Sequence, residues 1–585
     1  MKALEKKKIQ ENPNLLIWGE YLDIKTKDRG IQPLVPSFSQ KRLLEINESL
    51  YRDGKPRRFI ASKSRQVYIS TITEAVMFAD TSQKEGRNTL IIADSEQGSD
   101  YLYQMSRLFY LQLKDKYPHL TPHLGKMNSD GLSFDEINSN IYISTARNLQ
   151  AGRKMSLQNV HLSEFAFFEH PQELMKGLMQ SVPYTRDSLV VVETTSNGKG
   201  GYYYNEVMKA KDHRTDWVLY FVAWFECPDY TLPITPKIRE FIEKTLTEEE
   251  KSLIHIYTVT FEQLWWRRWC IINNCSGMNK CTESGLYLPN EEDKNAMNTL
   301  HQEYPAYVEQ SFIASGACRF ETSVLDEWQN AAPKLKGKDE TFIPGINYIT
   351  GYFTITKDGF IDFIEQTDGP WKLFEYPELG IDYCTGGDVS EGIEVEEGTG
   401  DFDYSTIVIL RRDTLEQVAE YRAYIEPDLL AYEWFVSLHY FNTPMAGVEA
   451  NKDGQTTLKF LREVYGYNNI YVRDVIEEER QHRKTKKLGW LTSGGRLKGT
   501  RYTMINDMAQ FIRNKEGIFR SQDLIGECFT FVKKPDGKIE HNVGCHDDLV
   551  FAAGIAIQMH LLTPKTEAWT KRKRLKISYK KARNA

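Results

Sequence analysis

Four acidic residues, far apart in the chain, stand where one backbone element ends or another begins. Asp388 follows YCTGG, Glu449 follows MAGV, and Asp547 and Asp548 head the apolar run LVFAAGIAIQMHLL. If those elements meet, the carboxylates converge, and converging carboxylates hold hard cations such as Mg²⁺ or Mn²⁺ through oxygen. Two such cations about 4 Å apart cut phosphodiesters, one activating water and one stabilising the leaving oxygen. Capping is the competing role for an aspartate at a helix N-terminus, and 81 acidic residues make chance placements common. A second group lies upstream in IASKSRQVYISTITEAV (60–76), where Lys63 opens a polar turn, Arg65 and Gln66 occupy it, and Ser70 and Thr71 begin a helix. Phosphate is held in this way: backbone N–H groups and a helix N-terminus cradle the anion, a lysine adds charge, and a hydroxyl reaches Mg²⁺. The glycines usual in such a turn are missing, so a plain strand-turn-helix is the alternative.

The elements that must position these residues follow from apolar patterning. RRFIAS, NTLIIAD, NIYIST, NVHLSEF and DSLVVVETT are five β-rich runs separated by amphipathic stretches. That alternation predicts a parallel, doubly wound α/β sheet, with ligands at the carboxyl ends of its strands. Ser163 and Glu164 fall at one such end, where a carboxylate can position water for attack on a γ-phosphate. Thr194, Thr195 and Asn197 fall at another and suit a γ-phosphate sensor. Residues 235–330 read as mostly helical. A second α/β pattern begins near 371, with a hairpin after Asp388, an apolar run into Glu449, a helix, NIYVRDV, a hairpin at FTFVKKPDGKIEHN and the final apolar helix.

The 585 residues exceed one core and suggest several domains. No window approaches the ~18 apolar residues that a membrane span needs, and MKALEKKKIQENPN lacks a signal-peptide core. Eight scattered cysteines suit a reducing compartment. Cys270, Cys275 and Cys281 are spaced too loosely for a standard zinc motif. Trp265, Trp266, Arg267 and Arg268 either stack on nucleic acid or pack inside. Net charge is −7 but uneven: residues 565–585 carry nine Lys/Arg against one Glu, 479–489 is basic, and 390–403 holds six acids and no base. Basic patches beside acidic clusters fit solvated faces or an enzyme that acts on a polyanion with metal ions. His482, Arg483, Lys486 and Lys487 are candidates for holding DNA backbone.

Taken in order, KSRQ…ST, VHLSEFAFF and ETTSNG resemble the ATPase of terminase large subunits, the DNA-packaging motors of tailed bacteriophages. GGDVSEG…DYSTIVIL, GVEANKDG and HDDLVFAAGIAI look like the three motifs of their RNase H-like nuclease. The similarity extends over most of residues 30–560. It implies a P-loop-type parallel-sheet ATPase over 1–235, a helical linker over 236–345, an RNase H-like nuclease over 346–564 and a basic tail over 565–585. It implies that ATP with Mg²⁺ is bound by Gln40 (adenine), Lys63, Arg65, Gln66, Ser70, Thr71, Ser163, Thr195 and Asn197. Glu164 is then the catalytic glutamate, and the arginine acting on the γ-phosphate falls on Arg153 or Arg147. Asp388, Glu449 and Asp548 become the nuclease's catalytic metal ligands, with Asp547 supporting a second metal and Asp403 accessory. Implied partners are double-stranded DNA, a portal protein, a small terminase subunit and further copies in a ring, in the host cytoplasm and without a membrane. Two departures stand out: Tyr68 where the family has glycine, and Ser163 where it has aspartate. They motivate a rival reading, a repair or recombination nuclease with a degenerate ATPase. A non-catalytic DNA-binding assembly factor, its acids merely capping helices, is a second rival.

Overall fold

Uninterrupted apolar runs bury both of their faces, and this makes them the centre of a covered parallel sheet. In the computed structural model, which describes residues 2–26, 29–275, 281–312, 318–390, 403–477, 483–493, 499–534, 537–542 and 545–564, all five expected strands form: Arg57–Lys63, Asn88–Ala93, Ser139–Thr145, Asn159–Ser163 and Leu189–Thr194. The sheet runs Val218–Val222, Arg57–Lys63, Leu189–Thr194, Asn159–Ser163, Asn88–Ala93, Ser139–Thr145, Gly131–Phe134, Lys126–Asn128. Its first six strands are parallel; Gly131–Phe134 then pairs antiparallel to Ser139–Thr145, and Lys126–Asn128 pairs antiparallel to Gly131–Phe134. The edge strand Val218–Val222 and the short meander 126–134 are additions to the expected set. Register sets Ser163 opposite Glu193 and Ser62 opposite Thr194, so the chemistry-bearing ends of three neighbouring strands lie at one level.

The chain divides into two compact units, Met1–Gly316 and Ala317–Ala585. The segment expected as one linker, 236–345, is split between them. Its helices Pro236–Lys244, Glu248–Tyr257, Phe261–Cys270 and Lys294–Glu303 share the core of the first unit, where Leu253, Trp265, Trp266 and Leu300 join Phe59 and Phe78. Trp266 stacks on Tyr230 with ring centroids 4.2 Å apart, and Arg268 is buried against Glu250 at 2.6 Å. These four residues therefore pack inside rather than stack on nucleic acid. Cys270 and Cys275 lie 3.9 Å apart, while Cys281 is exposed.

The second unit is built on a sheet ordered Lys334–Leu335, Asn347–Ile355, Trp371–Leu373, Gln417–Ala423, Ser405–Arg411, Tyr383–Asp388, Met445–Val448, with Ile361–Glu365 paired to Asn347–Ile355. Ser405–Arg411 and Gln417–Ala423 are the expected hairpin, and Met445–Val448 runs parallel to Tyr383–Asp388. The glycines of YCTGGD are explained by crowding from both sides. A Cβ on Gly386 would sit 2.3 Å from the backbone N of Ala556 in the terminal helix Asp548–Leu562. A Cβ on Gly387 would sit 2.5 Å from the Trp434 ring, on the helix Pro427–Tyr440. Close helix approach on both faces thus fixes the strand that ends in Asp388.

Val472–Glu477 and Arg483–Leu488 form a two-stranded ribbon, although the charges of RKTKKL hide any β pattern. The acidic loop 391–402, His482 and the basic tail 565–585 lie outside the described residues. Among the described residues no helix is long and apolar enough to cross a membrane.

Candidate active sites

In the first unit, Lys63 ends its strand fully flanked by acid. Its ammonium lies 2.6 Å from Glu193 and 3.4 Å from Glu164. Burial pushes the lysine's pKa down, but the two carboxylates outweigh it and the group is held above its ordinary value. Glu193, absent from the sequence reading, is the centre of the cluster. It is fully buried at the end of Leu189–Thr194, and its Oε1 accepts the hydroxyls of Ser163 at 2.5 Å and Ser70 at 2.7 Å. Burial would raise its pKa, yet Lys63 and His161 hold it well below the usual carboxylate range. It is visible as the one acid closing the apolar run SLVVV and opening ETTSNG, but its partner Ser163 is set by strand register and not by sequence proximity.

The turn between Lys63 and the helix Ile69–Gln83 meets the shape requirement without glycine. Gln66 and Tyr68 take left-handed backbone, with φ of 54° and 61°, at roughly 1 kcal/mol each. Tyr68 thus adopts the glycine's conformation, and its hydroxyl donates to Asp229 at 2.8 Å. The N-cap residue Tyr68 makes no side-chain cap bond to the helix start, and N–H groups at a helix start can hold an anion. Thr71 is half-buried in the helix's first turn. Gln40 is buried, and both ends of its amide are engaged: Oε1 accepts from Ser37 N at 2.9 Å and Nε2 donates to the Tyr68 carbonyl at 2.8 Å. An adenine contact would have to exchange one of these bonds. Arg65 is exposed and paired with Glu303 at 2.9 Å.

Glu164 also has left-handed backbone, φ 56°; burial, ahead of the opposing Lys63, raises its pKa. Thr194 Oγ1 donates to Glu164 at 3.4 Å, and Asn197 Nδ2 donates to the Ala166 carbonyl at 3.1 Å, tying the Thr194–Asn197 segment to the turn after Ser163. Thr195 is buried beside them. Arg147 and Arg153 are exposed; among the described residues neither bonds to Lys63 or Glu164, and the Arg153 guanidinium lies over Gly177. The helical segment reaches both halves of the cluster. The Arg65 amide donates to the Glu303 carbonyl at 2.8 Å, while Gln302 donates to the Ser196 carbonyl at 3.0 Å and Ser196 to Ser311 at 2.7 Å.

His161 extends the cluster inward, 2.6 Å from Glu74 and 3.4 Å from Glu193. Burial works against its charge, but hydrogen bonds to the two glutamates lift its pKa from 6.5 to about 9. A folded pKa above the unfolded one stabilises fully below the unfolded value and is lost as pH rises through the folded value. The melting temperature of the intact chain should therefore fall between pH 6.5 and about 9, and His161→Asn should flatten that fall. An unchanged slope in the variant would contradict the pairing.

In the second unit the sequence-selected acids meet. Glu449 N donates to the Gly387 carbonyl at 3.0 Å, which sets Glu449 beside Asp388. The two carboxyls share a hydrogen bond, and burial first, then Glu449, Asp548 and Asp547, push the Asp388 pKa well above its ordinary value. Asp548 is buried; burial, Glu527 and Asp403 raise its pKa against the pull of Arg422. Its carboxylate accepts from Tyr404 N at 3.2 Å, and its carbonyl accepts from Thr406 Oγ1 at 2.9 Å. Asp547, also raised, makes no side-chain cap bond to the helix it precedes. The capping is done by Glu527, which sequence reasoning missed. Its Oε2 accepts from Leu549 N at 2.8 Å and Val550 N at 3.2 Å, leaving the aspartates free of the role that competed with metal binding. Asp403, His546 and Asp548 each offer a ligand atom within 4.8 Å of the others.

This donor set fits divalent cations, because several oxygen ligands converge and a bound cation would relieve the burial and mutual repulsion that raise their pKa values. Of the basic groups around it, Arg422 is 3.6 Å from Glu527 and stacked 4.1 Å over Tyr404, His546 lies 3.6 Å from Asp548, and His541 and Arg501 act on Asp547. The ribbon carrying Lys486 and Lys487, both exposed, leads into Trp490, whose N donates to Val448 O at 2.8 Å. The ribbon is thereby attached to the strand Met445–Val448, which leads into Glu449. Arg483 begins its second strand.

No protein-family model matches the chain, and no curated protein matches it significantly. Solved structures do. The chain is similar to the HK97 bacteriophage large terminase at 10% identity, covering 94% of this chain and 99% of that one with TM-score 0.43. A large terminase from a thermophilic bacteriophage in complex with ADP gives 10% identity, 90% and 100% coverage and TM-score 0.29. The large terminase nuclease from thermophilic phage G20c gives 13% identity, 36% and 92% coverage and TM-score 0.25. All three are phage large terminases or a domain of one, the family whose motifs this sequence resembles.

Proposed function

We propose that the chain is the large subunit of a viral DNA-packaging terminase, an ATPase that drives double-stranded DNA into a procapsid and a Mg²⁺- or Mn²⁺-dependent endonuclease that cuts concatemeric genomes. What carries the reading is the presence, in one chain, of a lysine turn at the carboxyl ends of parallel strands and a separate cluster of converging carboxylates with a basic ribbon attached. In the first unit Lys63, the N–H groups at the head of Ile69–Gln83, and the hydroxyls of Ser70 and Thr71 would hold the triphosphate and its Mg²⁺, which neutralises phosphate charge when bound. Glu164 orients the attacking water and accepts its proton. Thr194, Thr195 and Asn197 register the state of the γ-phosphate, and Ser196, through Gln302 and Ser311, passes their movement to the helical segment. Arg153 or Arg147 would reach the phosphates after rearrangement or from a neighbouring copy.

In the second unit Asp388, Glu449, Asp547 and Asp548 would hold two divalent cations, which supply Lewis acidity to water and leaving oxygen. Arg483, Lys486 and Lys487 hold the duplex by its phosphates, contacts that carry no sequence information and suit an enzyme that accepts any genome. A portal protein, a small subunit and a ring of copies in the host cytoplasm belong to this reading.

The test is one preparation of the intact chain assayed for both activities. ATP turnover stimulated by duplex DNA, together with plasmid cutting that needs Mn²⁺ and stops with chelator, is expected. Cutting without ATP turnover would favour a nuclease with a degenerate ATPase; neither activity would leave a DNA-binding assembly factor.

A further inference from the structure

A carboxylate is missing from the strand Asn159–Ser163, where Ser163 stands at the end, and one is present at the same level in the neighbouring strand. Glu193 faces Ser163 across the parallel pair, and its Oε1 accepts both the Ser163 hydroxyl at 2.5 Å and the Ser70 hydroxyl at 2.7 Å. Its Oε2 lies 2.6 Å from Lys63 Nζ. The side chain is fully buried, and a buried carboxylate is costly to maintain unless its charge is used. A glutamine would satisfy two hydroxyl donors at lower cost, so hydrogen bonding alone does not account for a glutamate.

Its partners define the use. Ser70 is the hydroxyl at the head of the helix Ile69–Gln83, and Lys63 is the cation of the turn. One carboxylate therefore links the hydroxyl suited to a divalent cation with the ammonium suited to phosphate, and the His161 ring stands behind it at 3.4 Å. A negative ligand in the turn would compete with Glu193 for Lys63 and would leave the carboxylate, already bonded to Ser70, able to face a cation. We propose that Glu193, with the hydroxyls of Ser70 and Ser163, forms the anchor for the divalent cation that accompanies the nucleotide, supplying from the adjacent strand the negative charge that Ser163 lacks. This rests on the reading of the first unit as a nucleoside triphosphate site.

The experiment measures binding of a fluorescent ATP analogue to the intact chain, with Mg²⁺ and with chelator, and does not depend on turnover. In the unchanged protein Mg²⁺ should tighten binding by about tenfold or more. Glu193→Gln should reduce that gain to less than about twofold while keeping binding in chelator, because Lys63 is then untethered from a carboxylate. Adding Ser163→Asp to Glu193→Gln should restore the gain, since the charge returns on the neighbouring strand. This double variant keeps the cluster's net charge, so it remains informative if Glu193→Gln alone does not fold, as judged by circular dichroism. A Mg²⁺ gain that survives in Glu193→Gln, or a double variant that folds, binds and shows none, would overturn the proposal. No binding by the unchanged protein in either condition would instead overturn the nucleotide reading itself.

Discussion

Asp388→Asn should abolish metal-dependent cutting of duplex DNA, with a loss of about 10³-fold or more, corresponding to roughly 4 kcal/mol of transition-state stabilisation. The same substitution should make the metal-free protein more stable at neutral pH, not less. Asp388 shares a hydrogen bond with Glu449 in a cluster where burial and neighbouring acids raise its pKa. A carboxyl whose folded pKa lies above its unfolded one loses stability as pH climbs between the two values. Asparagine keeps a donor for Glu449 and removes that charge. Lost cutting together with a raised neutral-pH melting temperature is the signature of a ligand held ready for a cation. Retained cutting would refute the assignment, and lost cutting with a lowered melting temperature would indicate a structural role instead.

Lys63→Ala should abolish ATP turnover, by about 10²-fold or more, equivalent to roughly 3 kcal/mol. It should also destabilise the fold, because Glu193 and Glu164 would lose their shared cation, 2.6 and 3.4 Å away. Removing one partner of a buried ion pair costs about 3–5 kcal/mol. Two readouts are therefore needed. A thermal melt follows the fold, and hydrolysis is compared with Glu164→Gln, whose side chain is 38% exposed and can be changed at smaller structural cost. Both variants should lose hydrolysis, and only Lys63→Ala should melt substantially earlier. Undiminished hydrolysis in Lys63→Ala would remove the nucleotide site from the first unit.

Much of the fold was legible because burial on both faces writes itself as continuous apolar sequence. RRFIAS, NTLIIAD and DSLVVVETT are such runs, and all became adjacent or near-adjacent parallel strands. Val218–Val222 escaped notice as a single edge run beyond the alternating block. The ribbon strand Arg483–Leu488 escaped because its backbone pairs while four of its six side chains are charged. Asp388, Glu449 and Asp548 were readable because each ends or begins an element. Glu193 and Glu527 were not, for a physical reason: each acts at a distance in sequence that only register or helix packing closes. Glu193 meets Ser163 across a strand pair, and Glu527 reaches from the helix Gln522–Thr530 to the amides of Leu549 and Val550. The departures at Tyr68 and Ser163 look like decay in the sequence. In the structure the first takes the left-handed backbone of a glycine, and the second hydrogen-bonds a carboxylate supplied next door.

Anomalous diffraction from a crystal of the intact chain soaked in Mn²⁺ asks the question most directly. Density for manganese bounded by Asp388, Glu449 and Asp548 is the expected result. A map with manganese elsewhere on the surface and those three side chains unchanged would contradict the assignment of the second unit as a metal-dependent nuclease.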